Sequence, residues 1–463
     1  MRFESSRPLL AVVLVALIHA AIFIVYQRPG WETEWDDQVG YQRLGHALAT
    51  TGTFTRNPGV QPFVPETIRT PGYPLVVAAA YRVFGEHHVA VAGVQAAMFA
   101  AICVLVFSIT ARLATRRVAL VAATLTALYP PIPYYGALVV TEVFTTLIIT
   151  LALWTSLRAI QDRDRGSFVA TGLLLGLAAL TRPTFALFPV ALVMVVAVAA
   201  AIRGEWSRLP RWGWTLGAFA IVLSPWLLYN VVYVHRLTIS PAGGIGRATW
   251  EASWQGTWPG RVQAALTTIA EDTPDSAALD EAVSRLAAAS NLPAPPMITY
   301  VHQWRDIRTI WDSPTDPRER AEKRIAADEE YWRVGLENIK RDRVGHVIRR
   351  ITIGSLVLWI AEIPIRYSHI NSVRPIVIRA IWLAQAVLLA LALFGLLLLA
   401  RRGHLFEVAP FAAILVYITA IHLPMLAEAR YSLPAKPAVL VLATVALAEL
   451  LHRMLPQTGD YLP

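Results

Sequence analysis

The sequence predicts an all-α polytopic membrane protein with about ten transmembrane helices. Three observations carry that prediction. Of the 463 residues, 56% are hydrophobic and only 16% are charged, outside the usual composition of soluble chains. Several apolar stretches of about 20 residues are long enough to cross a hydrocarbon core of about 30 Å. These stretches are continuous rather than alternating, which argues against a β-barrel. The net charge of +9 does not point to nucleic acid, because the basic residues stand at the ends of apolar runs, where they set orientation. Cys103 is the single cysteine; it lies inside an apolar run and reads as a small core residue.

The first predicted span is 9–26, preceded by Arg2 and Arg7. It is long for a signal-peptide core and no small-x-small site follows it, so it reads as a retained helix with a cytoplasmic N-terminus. The polar stretch 27–87 is then external. Thr33-Glu34-Trp35-Asp36 resembles a capping box, and a helix from about 34 to 50 would end at Gly52. Asp37, Tyr41, Leu44 and Leu48 share one of its faces. Residues 53–74 carry five prolines and read as an ordered irregular arm, followed by a short interfacial helix at 75–84.

Further spans are read at 89–113 and 118–129, the latter broken by Pro130-Pro131-Ile132-Pro133. The next starts near Thr141-Glu142 and runs through Trp154. A pair at 167–181 and 184–202 is interrupted at Thr181-Arg182-Pro183-Thr184, and 212–232 ends outside. Residues 233–350 form a second long external segment, with Trp250, Trp254 and Trp258 read as an interfacial belt. The stretch 339–365 is read as a helix at the outer interface that dips in without spanning. Spans at 373–400, 406–424 and 434–451 complete the ten and leave both termini cytoplasmic. The chain is thereby divided into a transmembrane core at 1–232 containing the external loop 27–87, an external and interfacial part at 233–365, and C-terminal spans at 366–463. No internal repeat of the kind found in many transporters is visible.

Charged residues in so apolar a chain are where chemistry is expected. Asp36 suits a helix start; Asp37 faces the side of Tyr41 and is placed to act as a general base on a hydroxyl. Arg69 precedes Pro71-Gly72-Tyr73-Pro74 and either binds a phosphate through its paired donors or snorkels to headgroups. Glu142 either serves the site or stabilises a helix N-terminus. Arg182, between two apolar runs, needs a carboxylate, a phosphate or water. Arg430-Tyr431 either binds ligand or pairs locally with Glu428. His87, His88 and His422 lack metal-ligand spacing.

In order and placement these residues resemble the GT-C glycosyltransferases, in particular the bacterial branch related to protein O-mannosyltransferases and the lipid A aminoarabinose transferase (glycosyltransferase family 39-like). The pattern is Asp37-x-x-x-Tyr41, then Leu48, Gly52 and Phe54, then Arg69-x-Pro71-Gly72-Tyr73-Pro74. Thr141-Glu142, Leu180-Thr181-Arg182-Pro183 and Arg430-Tyr431-x-x-Pro434 follow. The resemblance implies a GT-C fold and an inverting transfer of a hexosyl or pentosyl group from a polyprenyl-phosphate-linked donor. The acceptor would be a hydroxyl of a lipid, glycan or protein, on the external face of a bacterial-type inner membrane.

It implies Asp37 as base, with Asp36 the alternative because some members carry their key acid in an Asp-Glu pair. It implies Arg69, Arg182 and Arg430 at the lipid phosphate, and Glu142 at the donor and as a candidate ligand of a divalent cation. Tyr41, Tyr73 and Tyr431 are the aromatic substrate contacts. A transporter or flippase of a lipid-linked sugar is the alternative. It would place polar residues near mid-membrane and in paired repeats, whereas here they gather at the external ends of helices.

Overall fold

The computed structural model describes residues 7–31, 36–312 and 316–454. The Thr33-Glu34-Trp35 pattern and the side chain of Asp36 lie outside the described residues. The helices in chain order are α1 Arg7–Gln27, α2 Asp36–Thr50, α3 Gly72–Phe84, α4 His88–Leu113, α5 Arg116–Ala127, α6 Pro131–Gly136 and α7 Glu142–Asp162. Then come α8 Arg165–Thr181, α9 Phe188–Arg203, α10 Gly213–Val234, α11 Ile245–Trp254, α12 Gly260–Asp272, α13 Ser276–Ser290 and α14 Ala294–Asp312. The last are α15 Pro317–Arg341, α16 Arg343–Arg349, α17 Ser355–Trp359, α18 Pro375–Arg401, α19 Leu405–His422 and α20 Lys436–Met454. Among the described residues there is no strand.

Eight of these helices, α1, α4, α7, α9, α10, α18, α19 and α20, are long and apolar enough to cross a membrane, some with a flanking turn included. The 21 residues of α7 rise about 30 Å, one hydrocarbon thickness. The two remaining predicted spans are shorter. The helix α8 has 17 residues and α5 only 12, stopping before Pro130-Pro131. The stretch 339–365 does not form a span. It is broken into α16, a wider-wound turn at Arg350–Gly354, α17, and irregular chain around Glu362 and Pro364.

Close helix pairs rely on residues without side chains. Gly172 of α8 faces Thr215 of α10, and Gly395 of α18 faces Leu442 of α20. A Cβ at either glycine would sit 2.2 or 2.1 Å from the opposing carbonyl oxygen. Lipid tails supply no hydrophobic drive between helices, so backbone proximity and dispersion hold such pairs.

Residues 245–341 form a separate helical layer with its own core, built on Trp250, Trp258, Leu266, Val283, Met297 and Tyr331. This corrects the reading of the tryptophans as an interfacial belt. Trp250 is 2% exposed and stacks on Tyr300 at 5.4 Å, while Trp254 stacks on Trp258 at 5.3 Å. The indole N–H groups of Trp250 and Trp254 both donate to Gln303 Oε1, at 2.9 and 3.2 Å. Their spacing of four puts them on one helix face, and that face turns into the layer's own core, not toward lipid.

Two clusters of charge mark opposite ends of the bundle. At one end Arg112 meets Asp162 at 3.2 Å and Arg402 meets Glu449 at 2.7 Å. Asp37, Arg69, Glu142, Arg182 and Arg430 lie at the other. Reporters fused after Asp162, Ser207 and Arg402 should therefore all read the same side, and one at Asp280 the opposite side. A fusion after Arg402 that agrees with the one at Asp280 would require 351–365 to cross the membrane.

Candidate functional site

The helix α2 is set in place by Gln38, a fully buried residue that sequence reading passed over. Its amide donates to Trp31 O at 3.1 Å and accepts from Val139 N at 2.9 Å. The chain at 136–139 is strapped further: Gln95 donates to Gly136 O and Leu138 O, and Trp31 donates to Ala137 O. These bonds satisfy backbone groups that no helix ladder reaches. They also fix the start of α7, hence Glu142, against α2, hence Asp37.

The arm 53–71 delivers Arg69. Thr55 Oγ1 donates to Val64 O at 2.6 Å, and Arg56 pairs with Glu66 at 2.7 Å, closing the arm on itself. Glu66, 4% exposed, then accepts the backbone N–H groups of Ile68 and Arg69 at 2.7 and 3.0 Å. Glu66 too was missed; its only sequence signal is an acid three residues before the arginine, in a proline-bounded turn. Pro71 precedes the first turn of α3, and Gly72 is where α3 touches the end of α8. A Cβ there would lie 2.6 Å from Thr181 Oγ1 and 2.8 Å from Leu180 O. The Arg69-to-Pro74 motif thus packs against the residues just before Arg182.

Asp37 stands between two arginines. Arg69 Nη2 donates to its Oδ1, and Arg430 Nη1 lies 3.4 Å from its Oδ2. Arg69 Nη1 also donates to Tyr41 Oη at 3.3 Å, with the guanidinium 4.6 Å over the Tyr41 ring. Burial works to raise the Asp37 pKa, but Arg69 and then Arg430 outweigh it and hold the carboxyl well below the usual range. Glu142, 2% exposed, faces Arg182 at 3.6 Å and Arg430 at 3.8 Å. Arg430 also pairs with Glu428 at 2.5 Å. Tyr431 stacks on His422 at 4.7 Å and lies under both Arg182 and Arg430. Arg69 Nε and Arg182 Nη1 are buried without a hydrogen-bond acceptor among the described residues.

The structure therefore brings together Asp37, Tyr41, Arg69, Glu142, Arg182, Arg430 and Tyr431. Two expectations need correction. Tyr73 is not placed to touch a substrate: it is fully buried, donates to Gln95 at 3.2 Å and packs edge-on against Tyr41. Glu142 is not a fitting ligand for a divalent cation. Two guanidinium groups flank it, and the described residues hold no group of three His, Cys, Asp or Glu to complete a coordination shell.

A second polar cluster lies behind the first. Glu362, 3% exposed, accepts from Tyr135 Oη at 3.2 Å through Oε1, and its Oε2 has no acceptor role among the described residues. Nearby Lys436 Nζ donates to Trp359 O at 2.9 Å and Gln385 Oε1 at 3.3 Å. Burial pushes the Glu362 pKa up to about 7, and Lys436 offsets this only in part.

The helical layer and the chain flanking it are tied to both sides of the site. Ser240 Oγ donates to Ile68 O at 2.8 Å and Ala242 N to Thr67 O at 2.8 Å, next to Arg69. Leu426 N donates to Ala248 O at 2.9 Å, and Gln255 exchanges two bonds with Ala427 at 2.7 and 3.1 Å, next to Glu428 and Arg430. Buried Arg350 adds bonds to the carbonyls of His422, Leu423 and Met425.

A family model described as dolichyl-phosphate-mannose-protein mannosyltransferase matches residues 68–229. That span opens just before Arg69 and includes Glu142 and Arg182. No curated protein sequence matches the chain. Among solved structures, the archaeal oligosaccharyltransferase AglB from Archaeoglobus fulgidus, in complex with an inhibitory peptide and a dolichol-phosphate, aligns at 13% identity and TM-score 0.52. The alignment covers 99% of this chain and 53% of that one, so the present chain spans about half the length of AglB. The same enzyme tethered to an acceptor peptide aligns at 14% identity and TM-score 0.51, over 97% of this chain and 51% of that one. ArnT from Cupriavidus metallidurans bound to undecaprenyl phosphate aligns at 17% identity and TM-score 0.40, over 98% of this chain and 80% of that one. The fold is that of the GT-C glycosyltransferases.

Two measurements probe this construction. Replacing Gly72 with Ala should destabilise the protein by about 1–3 kcal/mol through overpacking, read by thermal unfolding in detergent. Gly93→Ala, whose Cβ would meet nothing within 4 Å, should be neutral or stabilising. Glu362 gives a pH signature. Its folded pKa of about 7 exceeds the model-compound value of 4.5, so the folded state holds a proton that the unfolded state has released between those values. Its contribution is present at low pH and lost as pH rises through about 7. Unfolding temperatures measured from pH 5 to 8 should fall, and Glu362→Gln should flatten the slope. An unchanged slope in the variant would show that Glu362 is not its source.

Proposed function

We propose that the protein is an inverting glycosyltransferase that moves a hexosyl or pentosyl group from a polyprenyl-phosphate-linked donor to an acceptor hydroxyl. One observation carries this: a carboxylate, Asp37, lies between Arg69 and Arg430 at one end of a membrane bundle, with Arg182 beside them. Paired arginine donors suit a phosphate group at that depth. Among the described residues Arg69 Nε has no hydrogen-bond acceptor and Arg182 Nη1 reaches Glu142 only at 3.6 Å, so phosphate oxygens would be acceptors for both N–H groups. The match to a dolichyl-phosphate-mannose family model and the dolichol-phosphate held by AglB support the same donor class. Arginines concentrated at the opposite end of the bundle favour an external site under the positive-inside rule, in a bacterial-type inner membrane, where the acceptor is a lipid, glycan or protein.

In the transfer, Asp37 takes the proton of the acceptor hydroxyl as its oxygen bonds to the anomeric carbon from the face opposite the phosphate. The bond from that carbon to the phosphate oxygen breaks, and its electron pair leaves with the polyprenyl phosphate, whose charge Arg69, Arg182 and Arg430 stabilise. A base works best with a pKa near the operating pH, and Asp37 bonded to Arg69 is held far below it. The donor phosphate competes for the same arginines. Its arrival draws Arg69 toward phosphate and leaves Asp37 more basic, so donor binding precedes productive acceptor binding.

Asp37→Asn separates these roles. Transfer should fall by roughly 100-fold or more, the usual worth of a general base, while binding of polyprenyl phosphate persists or tightens because Asn no longer holds Arg69. Near-normal transfer by Asp37→Asn in a working assay would sink the assignment and turn attention to Asp36. Asp36→Asn should cost about 1 kcal/mol of stability or less and leave transfer intact. Arg69→Ala should weaken polyprenyl phosphate binding, and Arg69→Lys should restore it only in part, since an ammonium lacks the planar fork.

A further inference from the structure

After α15 the chain returns to the bundle through α16, the wider-wound turn Arg350–Gly354 and α17. The two faces of this segment differ. Inward, His346, Arg350, Gly354 and Leu358 are buried. Outward, Val344, Val347, Ile348 and Ile351 are between 53% and 73% exposed, and Leu356 is exposed beyond them. Spacings of three and four put the first four on one helical face. The exposed side chains from 344 to 356 are apolar except Thr352, and its Oγ1 donates back to Ile348 O at 2.7 Å. A contiguous apolar face that offers no open side-chain polar group is unfavourable in water and suited to a covered surface.

Its neighbours indicate what covers it. From the inward face Arg350 donates to the carbonyls of His422, Leu423 and Met425, which seats the segment on the end of α19. Along that same end Val416, Ala420 and Pro424, spaced by four, are exposed, and α19 is a helix of spanning length and composition. The apolar face thus continues a lipid-facing stripe. Lys340, Arg341 and Arg343 are exposed just before it, as befits the point where an interfacial helix meets water.

We infer that Val344, Val347, Ile348 and Ile351 are immersed in the acyl chains of the leaflet on the Asp37 side, and that this immersion holds Arg350 on the loop before Arg430. Arg350 and Ile351 are adjacent, so the depth of one sets the reach of the other. Gly354 leaves the guanidinium room to fold inward, since a Cβ there would lie 3.0 Å from it. On the side of the helical layer Arg350 also donates to Gln255, and a Cβ at Gly256 would lie 2.8 Å from Ile353 Cδ1. The segment is therefore wedged between the layer and α19, and lipid supplies its third support. The consequence for a donor phosphate at Arg430 rests on the function proposed above; the lipid contact does not.

The test uses the full chain in phosphatidylcholine nanodiscs holding one copy each, and it reads no transfer. A bimane probe attached through Val347→Cys or Ile351→Cys should lose emission to brominated acyl chains and be shielded from aqueous iodide. A probe at Arg285→Cys, an exposed site on α13, should respond to iodide alone. The parent chain, whose single cysteine is buried, is the labelling blank. Ile348→Gln removes no inward packing and should speed amide hydrogen exchange at Leu426 and Ala427 about tenfold, leaving Ile68 and Arg69 unchanged. Ile348→Leu should exchange like the parent. Iodide quenching at 347 and 351, or shielding that appears only when two copies share a nanodisc, would overturn the lipid contact. Unchanged exchange at 426–427 in Ile348→Gln, or equally faster exchange at 68–69, would overturn the coupling.

Discussion

The carboxylate of Asp37 is shared by arginines that lie 32 and 393 residues further along the chain. Arg69 comes from the arm before α3, and Arg430 from the turn before α20. The arm around Arg69 is irregular chain and Arg430 sits in a short 3-10 turn, and local bonds such as that of Arg430 to Glu428 do not by themselves bring either to Asp37. The ion pairs are therefore only as good as the devices that position the two loops. Glu66 fixes the backbone of Arg69 through two N–H bonds, and Gly72 lets that backbone come down onto α8. The helical layer and the segment leading into it supply the rest, with Ser240 and Ala242 of that segment bonded beside Arg69 and Ala248 and Gln255 of the layer bonded beside Arg430. A polar layer that could be taken for a separate appendage is in this sense a brace across the site.

That brace explains why so much hydrogen bonding is spent on backbone between 422 and 428. Arg350 is 3% exposed and gives its guanidinium to three main-chain carbonyls of that segment and to Gln255. A buried arginine fully used on carbonyls is costly to desolvate and leaves little freedom to the loop it holds. Arg430 follows directly from that loop, so rigidity is delivered to an arginine that meets both Asp37 and Glu142.

Much of this was legible in the sequence, for reasons that can be named. Apolar runs of spanning length identify most membrane helices, and the proline breaks at Pro130-Pro131 and Pro183 end α5 and α8 where expected. Charges that an apolar chain does not need drew attention to Asp37, Glu142, Arg182 and Arg430, and the structure gathers them. The tryptophans misled because a four-residue spacing on a helix marks a buried face and a lipid-facing one alike. Tyr73 misled because a motif neighbour of Arg69 on the following helix points into packing, not into the site. Gln38 and Gln255 were invisible because each bonds backbone atoms more than a hundred residues away, and nothing in a side chain's identity announces such a bond; Glu66 was passed over because its backbone partners lie in an irregular arm with no periodic pattern. Glu362 stood in the stretch 339–365 and Lys436 in the span read at 434–451, and nothing in either segment's composition shows that folding brings them together.

The charge pattern also bears on how such a site would stay stable without a substrate. Arg69, Arg182 and Arg430 without carboxylates would be three like charges close together at membrane depth, which is costly. Asp37, Glu142 and Glu428 neutralise them. On the function proposed above, an incoming phosphate would not meet a bare cationic cavity; it would exchange with carboxylates already there. The exchange is uneven, because Glu142 is deeply buried while Asp37 is about one-third exposed, with 3% and 34% of the respective side chains accessible. Breaking the pairs of Glu142 would strand a charge away from water, a loss of about 3–5 kcal/mol for a buried pair. Releasing Asp37 returns a carboxylate to an accessible edge, where water or an acceptor hydroxyl can hydrogen-bond it. On the proposed function, the cheaper exchange is then the one that would free Asp37, the carboxylate assigned there as the base.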